Sequence, residues 1–102
     1  MENVVEKNRQ AIEDVCRKYH VKRMDIFGSA AMGDATESSD IDFLVEFDDS
    51  VSKHRFDNYF ELLRELRQML GRDVDLVEPG GLRNPYFIRR MNETRRQVYV
   101  AS

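Results

Sequence analysis

Apolar positions in this chain switch between a helical and a strand period, and the switches mark its elements. Over residues 3–19, Val5, Ile12, Val15, Cys16 and Tyr19 recur at helical spacing, interrupted at Asn8 and Arg9, which predicts a first amphipathic helix. His20 to Phe27 reads as a strand that stops at Gly28, and Ser29 to Ser39 as a loop or a short turn of helix. From Asp40 to Phe47 the alternation is strict: Ile41, Phe43, Val45 and Phe47 make one apolar face, and Asp40, Asp42, Leu44 and Glu46 make the other. After Asp48-Asp49-Ser50 a helix is expected from about Lys53 to Leu70, burying Phe56, Tyr59, Phe60, Leu63, Leu66 and Leu70 and ending at Gly71. Asp73 to Glu78 is a third strand, with Val74 and Leu76 on one side and Asp73, Asp75 and Val77 on the other. Pro79-Gly80-Gly81 turns the chain into a basic helix from about Pro85 to Thr94 and a last strand, Gln97 to Val100. A short mixed sheet flanked by helices, an α/β (α+β) fold, is the most economical way to assemble these pieces.

Length and composition narrow the picture. The 102 residues suffice for one domain, residues 1–102, and a 41% hydrophobic content allows a small core. A net charge of −3 provides no general basic surface for nucleic acid, so a nucleotide fits better than a polynucleotide. Cys16, the single cysteine, lies in a helical pattern and reads as a core residue, which agrees with a reducing compartment. The first ten residues are polar and charged and no apolar run approaches membrane-spanning length, so a soluble cytoplasmic protein without a signal peptide is expected.

The chemistry concentrates in two places. Gly28-Ser29 ends a strand where a backbone can approach a phosphate closely, and Ser29 offers a hydroxyl and an amide. Asp40 and Asp42 lie two residues apart on one strand face, roughly 6.6 Å along it, so both reach one site. Hard carboxylate oxygens suit Mg²⁺ or Mn²⁺, and a pair of such ions clamps the attacking and leaving oxygens of a displacement at phosphorus. A third carboxylate would complete the set. Asp73 and Asp75 are the candidates, and Asp75, flanked by Val74 and Leu76, is favoured over Asp73, which sits beside Arg72. Without metal, three such acids would raise one another's pKa. Rival motifs fail: Asp34 stands where a P-loop needs lysine, and Ser39 and Val45 stand where an EF-hand loop from Asp34 needs Gly and Glu. His20 and His54 show no ligand spacing. Arg83, Arg89, Arg90, Arg95 and Arg96 read mostly as a solvated face, with one or two available to a triphosphate or an acidic partner.

Phe27-Gly28-Ser29, Ser39-Asp40-Ile41-Asp42-Phe43-Leu44-Val45 and Val74-Asp75-Leu76-Val77 resemble the minimal nucleotidyltransferases (the MNT group) of the polymerase β superfamily, antitoxin-type partners of HEPN-domain proteins. The tail, from Arg89-Arg90-Met91 to Val98-Tyr99-Val100, is similar as well. The resemblance implies a polymerase β-like fold in which Gly28 and Ser29 hold the triphosphate, Asp40 and Asp42 bind Mg²⁺, with two ions in the site, and Asp75 completes it near the acceptor hydroxyl, as metal ligand or base. It also implies transfer of AMP from ATP to a tyrosine hydroxyl of a HEPN-type toxin. One departure stands out. The family loop commonly runs GSRARG, whereas this chain reads Gly28-Ser29-Ala30-Ala31-Met32-Gly33, without the guanidinium groups that grip phosphate in two places. Restoring one, as in Ala30→Arg, is expected to tighten triphosphate binding. The alternative from another class is a catalytically weak module that neutralises its partner by binding alone.

Overall fold

The computed structural model describes residues 4–33, 40–49 and 55–101. At its centre is strand β1 (Val21–Phe27), hydrogen-bonded on both sides. Strand β2 (Ile41–Phe47) pairs with it antiparallel, as does the last strand, β4 (Arg96–Val100), while β3 (Val74–Val77) runs parallel to β2 at the far edge. The order is therefore β3-β2-β1-β4. The parallel β2–β3 pair needs a crossover, and helix α4 (Arg55–Leu70) lies between the two strands in the chain.

The first helical pattern divides where its stripe was interrupted. Helix α1 (Val4–Lys7) ends at Asn8, whose side-chain amide donates to the Val4 carbonyl at 2.8 Å, and α2 (Arg9–Lys18) follows. Strict alternation then gives the sheet two unlike faces. On one, Met24, Ile26, Ile41, Phe43, Val45, Val74, Leu76 and Val98 pack under Ile12, Val15 and Cys16 of α2 and Leu62, Leu63, Leu66 and Leu70 of α4. Cys16 is fully enclosed here, and burial pushes its thiol up to about 12, so it acts as a small apolar residue.

The α4 stripe is shifted from the expected one. Leu62 fills the core, whereas Phe56 and Phe60 are 75% and 49% exposed and Tyr59 is half-buried. The apolar residues of this helix outnumber the positions one face can bury, and the compact leucines took them.

The other face of the sheet is mostly open. A short helix α3 (Ser29–Met32) caps the end of β1, and α5 (Pro85–Thr94) covers part of the face. Helix α5 begins as its sequence dictates: Asn84 accepts the Tyr86 and Phe87 amides, with Pro85 as the first helical residue. Beneath it lies a second, small apolar cluster of Phe27, Leu44 and Met91. The predicted segments are met within one or two residues wherever they are described. Residues 34–39, together with Lys53 and His54, lie outside the described residues.

Candidate active site

The strand register lines up the acidic face. Phe27 is opposite Asp42 across the β1–β2 pair, and Asp42 is level with Asp75 across the parallel β2–β3 pair. Gly28 thus leaves β1 directly beside Asp42. Its φ of +73° suits glycine alone, and a Cβ placed there would stand 2.8 Å from Asp42 Oδ2. The Gly28 amide is held from the other side, donating to Thr94 Oγ1 at 3.0 Å, and Thr94 in turn donates to the Arg90 carbonyl at 3.0 Å. The last residue of α5 thereby fixes the turn that starts α3.

The Asp42 and Asp75 carboxylates stand level on adjacent strands and line the same cavity. Burial, first, and then the neighbouring Asp75 and Asp40 carboxylates push the Asp42 carboxyl up to about 6. Asp40 is exposed, one residue before β2, and reaches Asp42 through its field. Among the described residues no three carboxylate, imidazole or thiol groups form a complete metal cage. The donor set nevertheless fits a hard divalent cation: the charged groups that raise the proton affinity of Asp42 are the Asp75 and Asp40 carboxylates, and none of them is a cation. Asp73 stands apart. It is exposed, and its carbonyl accepts the Ile41 amide, as an edge position of the ladder.

A cavity of about 290 Å³ opens over the pair, walled by Tyr59, Leu63 and Arg67 of α4 and by Phe27 and Phe87. Tyr59 donates its hydroxyl to the Leu76 carbonyl, and Arg67 donates to the Val74 carbonyl at 3.3 Å. Burial, with the Glu78 and Asp75 charges, raises the Tyr59 phenol, so it stays neutral. A wider groove of about 690 Å³ lies between the ends of α2 and α4. Its polar groups answer one another: Lys18 and the Tyr19 hydroxyl meet Glu65, and Asn58 holds the Tyr19 carbonyl at 2.6 Å.

Two features of the face escaped the sequence reading. Asp25, 1% exposed, accepts from Arg23 at 3.1 Å and from Arg95 at 2.7 Å. A charged residue inside Met24-Asp25-Ile26-Phe27 is the same signal that marks Asp42, whereas Thr94 and Arg95 carry no local signal of this role. The loop expectation also changes. Ala30 and Ala31 are buried in the main core and Met32 is exposed, so Ala30→Arg would force a guanidinium into packed apolar surface. Position 32 is the one that faces outward.

A Gly-Ser turn packed on a carboxylate, level with a second carboxylate on the next strand of a mixed sheet, defines a nucleotidyl-transferring class of enzyme. Residues 8–98 match the family described as "Nucleotidyltransferase domain", and the chain belongs to it. Among its relatives is a Methanocaldococcus jannaschii chain provisionally named a protein adenylyltransferase, 38% identical over 93 residues, 91% of this chain and 89% of that one. The protein adenylyltransferase MntA of Thermococcus cleftensis is 35% identical over 72 residues, 71% of this chain and 70% of its own length. A solved structure provisionally described as a minimal nucleotidyltransferase superposes with a TM-score of 0.75 at 28% identity, covering 93% of this chain and 95% of that chain. At 21% identity and a TM-score of 0.64, the fold extends to a complex described as a tri-AMPylated Shewanella oneidensis HEPN toxin with an MNT antitoxin, covering 94% of this chain and 72% of that one. No helix among the described residues is long and apolar enough to cross a membrane.

Proposed function

We propose that this enzyme transfers AMP from ATP to a tyrosine hydroxyl of a HEPN-type toxin and thereby acts as its antitoxin. The observation that carries the reading is the row Gly28, Asp42, Asp75: a glycine turn packed on a carboxylate that a second carboxylate, level with it on the next strand, makes harder to ionise. The names of the relatives supply the reaction class, and the complex with a modified toxin supplies the kind of partner.

In the reaction the acceptor oxygen bonds to the α-phosphorus as the bond to the bridging oxygen breaks, and pyrophosphate leaves with that electron pair. Gly28 and Ser29 hold the triphosphate against the end of β1. Asp40, Asp42 and Asp75 are the residues that would hold Mg²⁺, two ions in the full site, which when bound neutralises charge on the phosphoryl and leaving oxygens. Asp75, at the cavity side of the row, receives the hydroxyl proton and passes it to solvent. Tyr59 supports this geometry, its hydroxyl committed to the β3 backbone rather than to chemistry. The cell compartment consistent with a toxin partner is the cytoplasm.

One observation favours the second reading, neutralisation by binding alone: the outward position of the loop is Met32, so α3 offers the phosphates no guanidinium. Incubation with the HEPN-type partner, labelled ATP and Mg²⁺ separates the two. The enzyme reading expects label on a partner tyrosine, and Met32→Arg should lower the KM for ATP by up to about tenfold through a charge-assisted contact. A stable complex without label would leave binding as the function.

A further inference from the structure

Phe56 and Phe60 belong to a stripe with a destination. Their rings are 4.7 Å apart, and at 100° per residue Phe56, Phe60, Leu63 and Arg67 fall within about 60° of the α4 surface. Leu63 and Arg67 line the cavity over Asp42 and Asp75. The exposed aromatic pair therefore continues one cavity wall along α4, with the Phe60 ring 5.1 Å from that of the cavity residue Tyr59. The opposite wall repeats the arrangement. Phe87 lines the cavity, edge-on to Phe27 at 5.7 Å, and the neighbouring Tyr86 is 83% exposed. Exposed Arg90, one turn beyond Tyr86, gives this side a basic border.

Four large aromatics left in water around a carboxylate cavity are a cost to the isolated chain and an asset at an interface, where such side chains carry most of the binding energy. We propose that these two ledges are the docking surface for the acceptor protein, which seats apolar side chains on them with acidic groups toward Arg90. Its hydroxyl is thereby lowered between α4 and α5 to Asp75. A second copy of this chain is the poorer occupant, because covering both ledges would close the mouth through which the acceptor must enter. The proposal rests on the transfer reading above and deepens it.

The test uses Phe56→Ser/Phe60→Ser and, separately, Tyr86→Ser, each checked for unchanged circular dichroism and melting. The purified HEPN-type partner is titrated for binding, and AMP transfer is followed against partner concentration. Expected are a weakening of partner binding and a rise in KM for the partner of roughly tenfold or more, with kcat at saturating partner and KM for ATP unchanged. Phe56→Leu/Phe60→Leu should recover most of the loss. Unchanged partner affinity and KM overturn the proposal, as does a wild-type chain that does not bind the partner. A variant that dissolves a dimer of this chain while binding the partner normally overturns it too, assigning the face to a second copy. If wild type binds through the ledges yet transfers no AMP, the docking surface stands and the transfer reading falls.

Discussion

Asp25 and Asp42 occupy neighbouring strands on one face of one sheet, yet their surroundings are opposite. Asp25 is wrapped by Arg23 and Arg95, so its charge is matched within the chain, and the pair ties β1 to the residue that follows α5. Asp42 has Asp75 beside it and Asp40 close by, and its charge is opposed within the chain. The two halves of the face therefore do different work. The β1–β4 half is closed electrostatically and holds α5 and the Gly28 turn in place. The β2–β3 half keeps like charges side by side, which in the proposed reaction a nucleotide-bound cation would offset. A carboxylate on an apolar strand by itself indicates neither role; the sign of what surrounds it does.

The largest expected effect separates the two aspartates by activity. Asp42→Asn should lower AMP transfer by roughly 10²–10³-fold, as when one preorganised group is removed from a transition state, without lowering the melting temperature. Asp25→Asn should do the reverse, lowering stability by about 3 kcal/mol because two guanidinium groups lose their buried partner. Denaturant titration and transfer assays on both variants check the crossing; if both lose stability alike, the contrast is wrong.

A smaller effect probes the link between the halves. Thr94→Val keeps the shape but removes the acceptor of the Gly28 amide, which costs about 1–3 kcal/mol for an unsatisfied donor. It should raise the KM for ATP by roughly tenfold, with Thr94→Ser near wild type. An unchanged KM would mean that the turn is held by its packing on Asp42 alone.

The smallest effect is in pH. The folded-state pKa of Asp42, about 6, lies above its ordinary 3.8, so between these values the folded chain binds more protons than the unfolded one. Metal-free stability therefore falls as pH rises from about 4 to about 6, by roughly 1 kcal/mol after solvent screening of a partly exposed group. In Asp42→Asn that slope should vanish, leaving the variant slightly more stable than wild type at pH 8 without metal. A melting series with and without Mg²⁺-ATP reads both.

The sequence was most legible where local pattern and tertiary demand agree. The alternation of Asp40 to Phe47 and the Asn84-Pro85 start of α5 specify their own conformations, and the carboxylates of Asp42 and Asp75 were visible because an acid in an apolar strand needs a reason. Tertiary choices were not visible. Nothing local tells that Leu62 rather than Phe60 fills the core, or that Ala30 points inward while Met32 points out. Arg95, the distant partner of Asp25, and Thr94, the partner of Gly28, lie 70 and 66 residues away along the chain, beyond the reach of any periodicity.

The central claim, that the β2–β3 half of the face is a cation-dependent transfer centre, is tested most directly by mass spectrometry of the HEPN-type partner. The partner is incubated with ATP, Mg²⁺ and either wild-type chain or Asp42→Asn. The account predicts AMP on a partner tyrosine with wild type, none when Mg²⁺ is chelated, and only a trace with Asp42→Asn, although both chains bind the partner equally. Equal modification by the two chains, or silencing of the partner by wild type without any AMP attached, would contradict it.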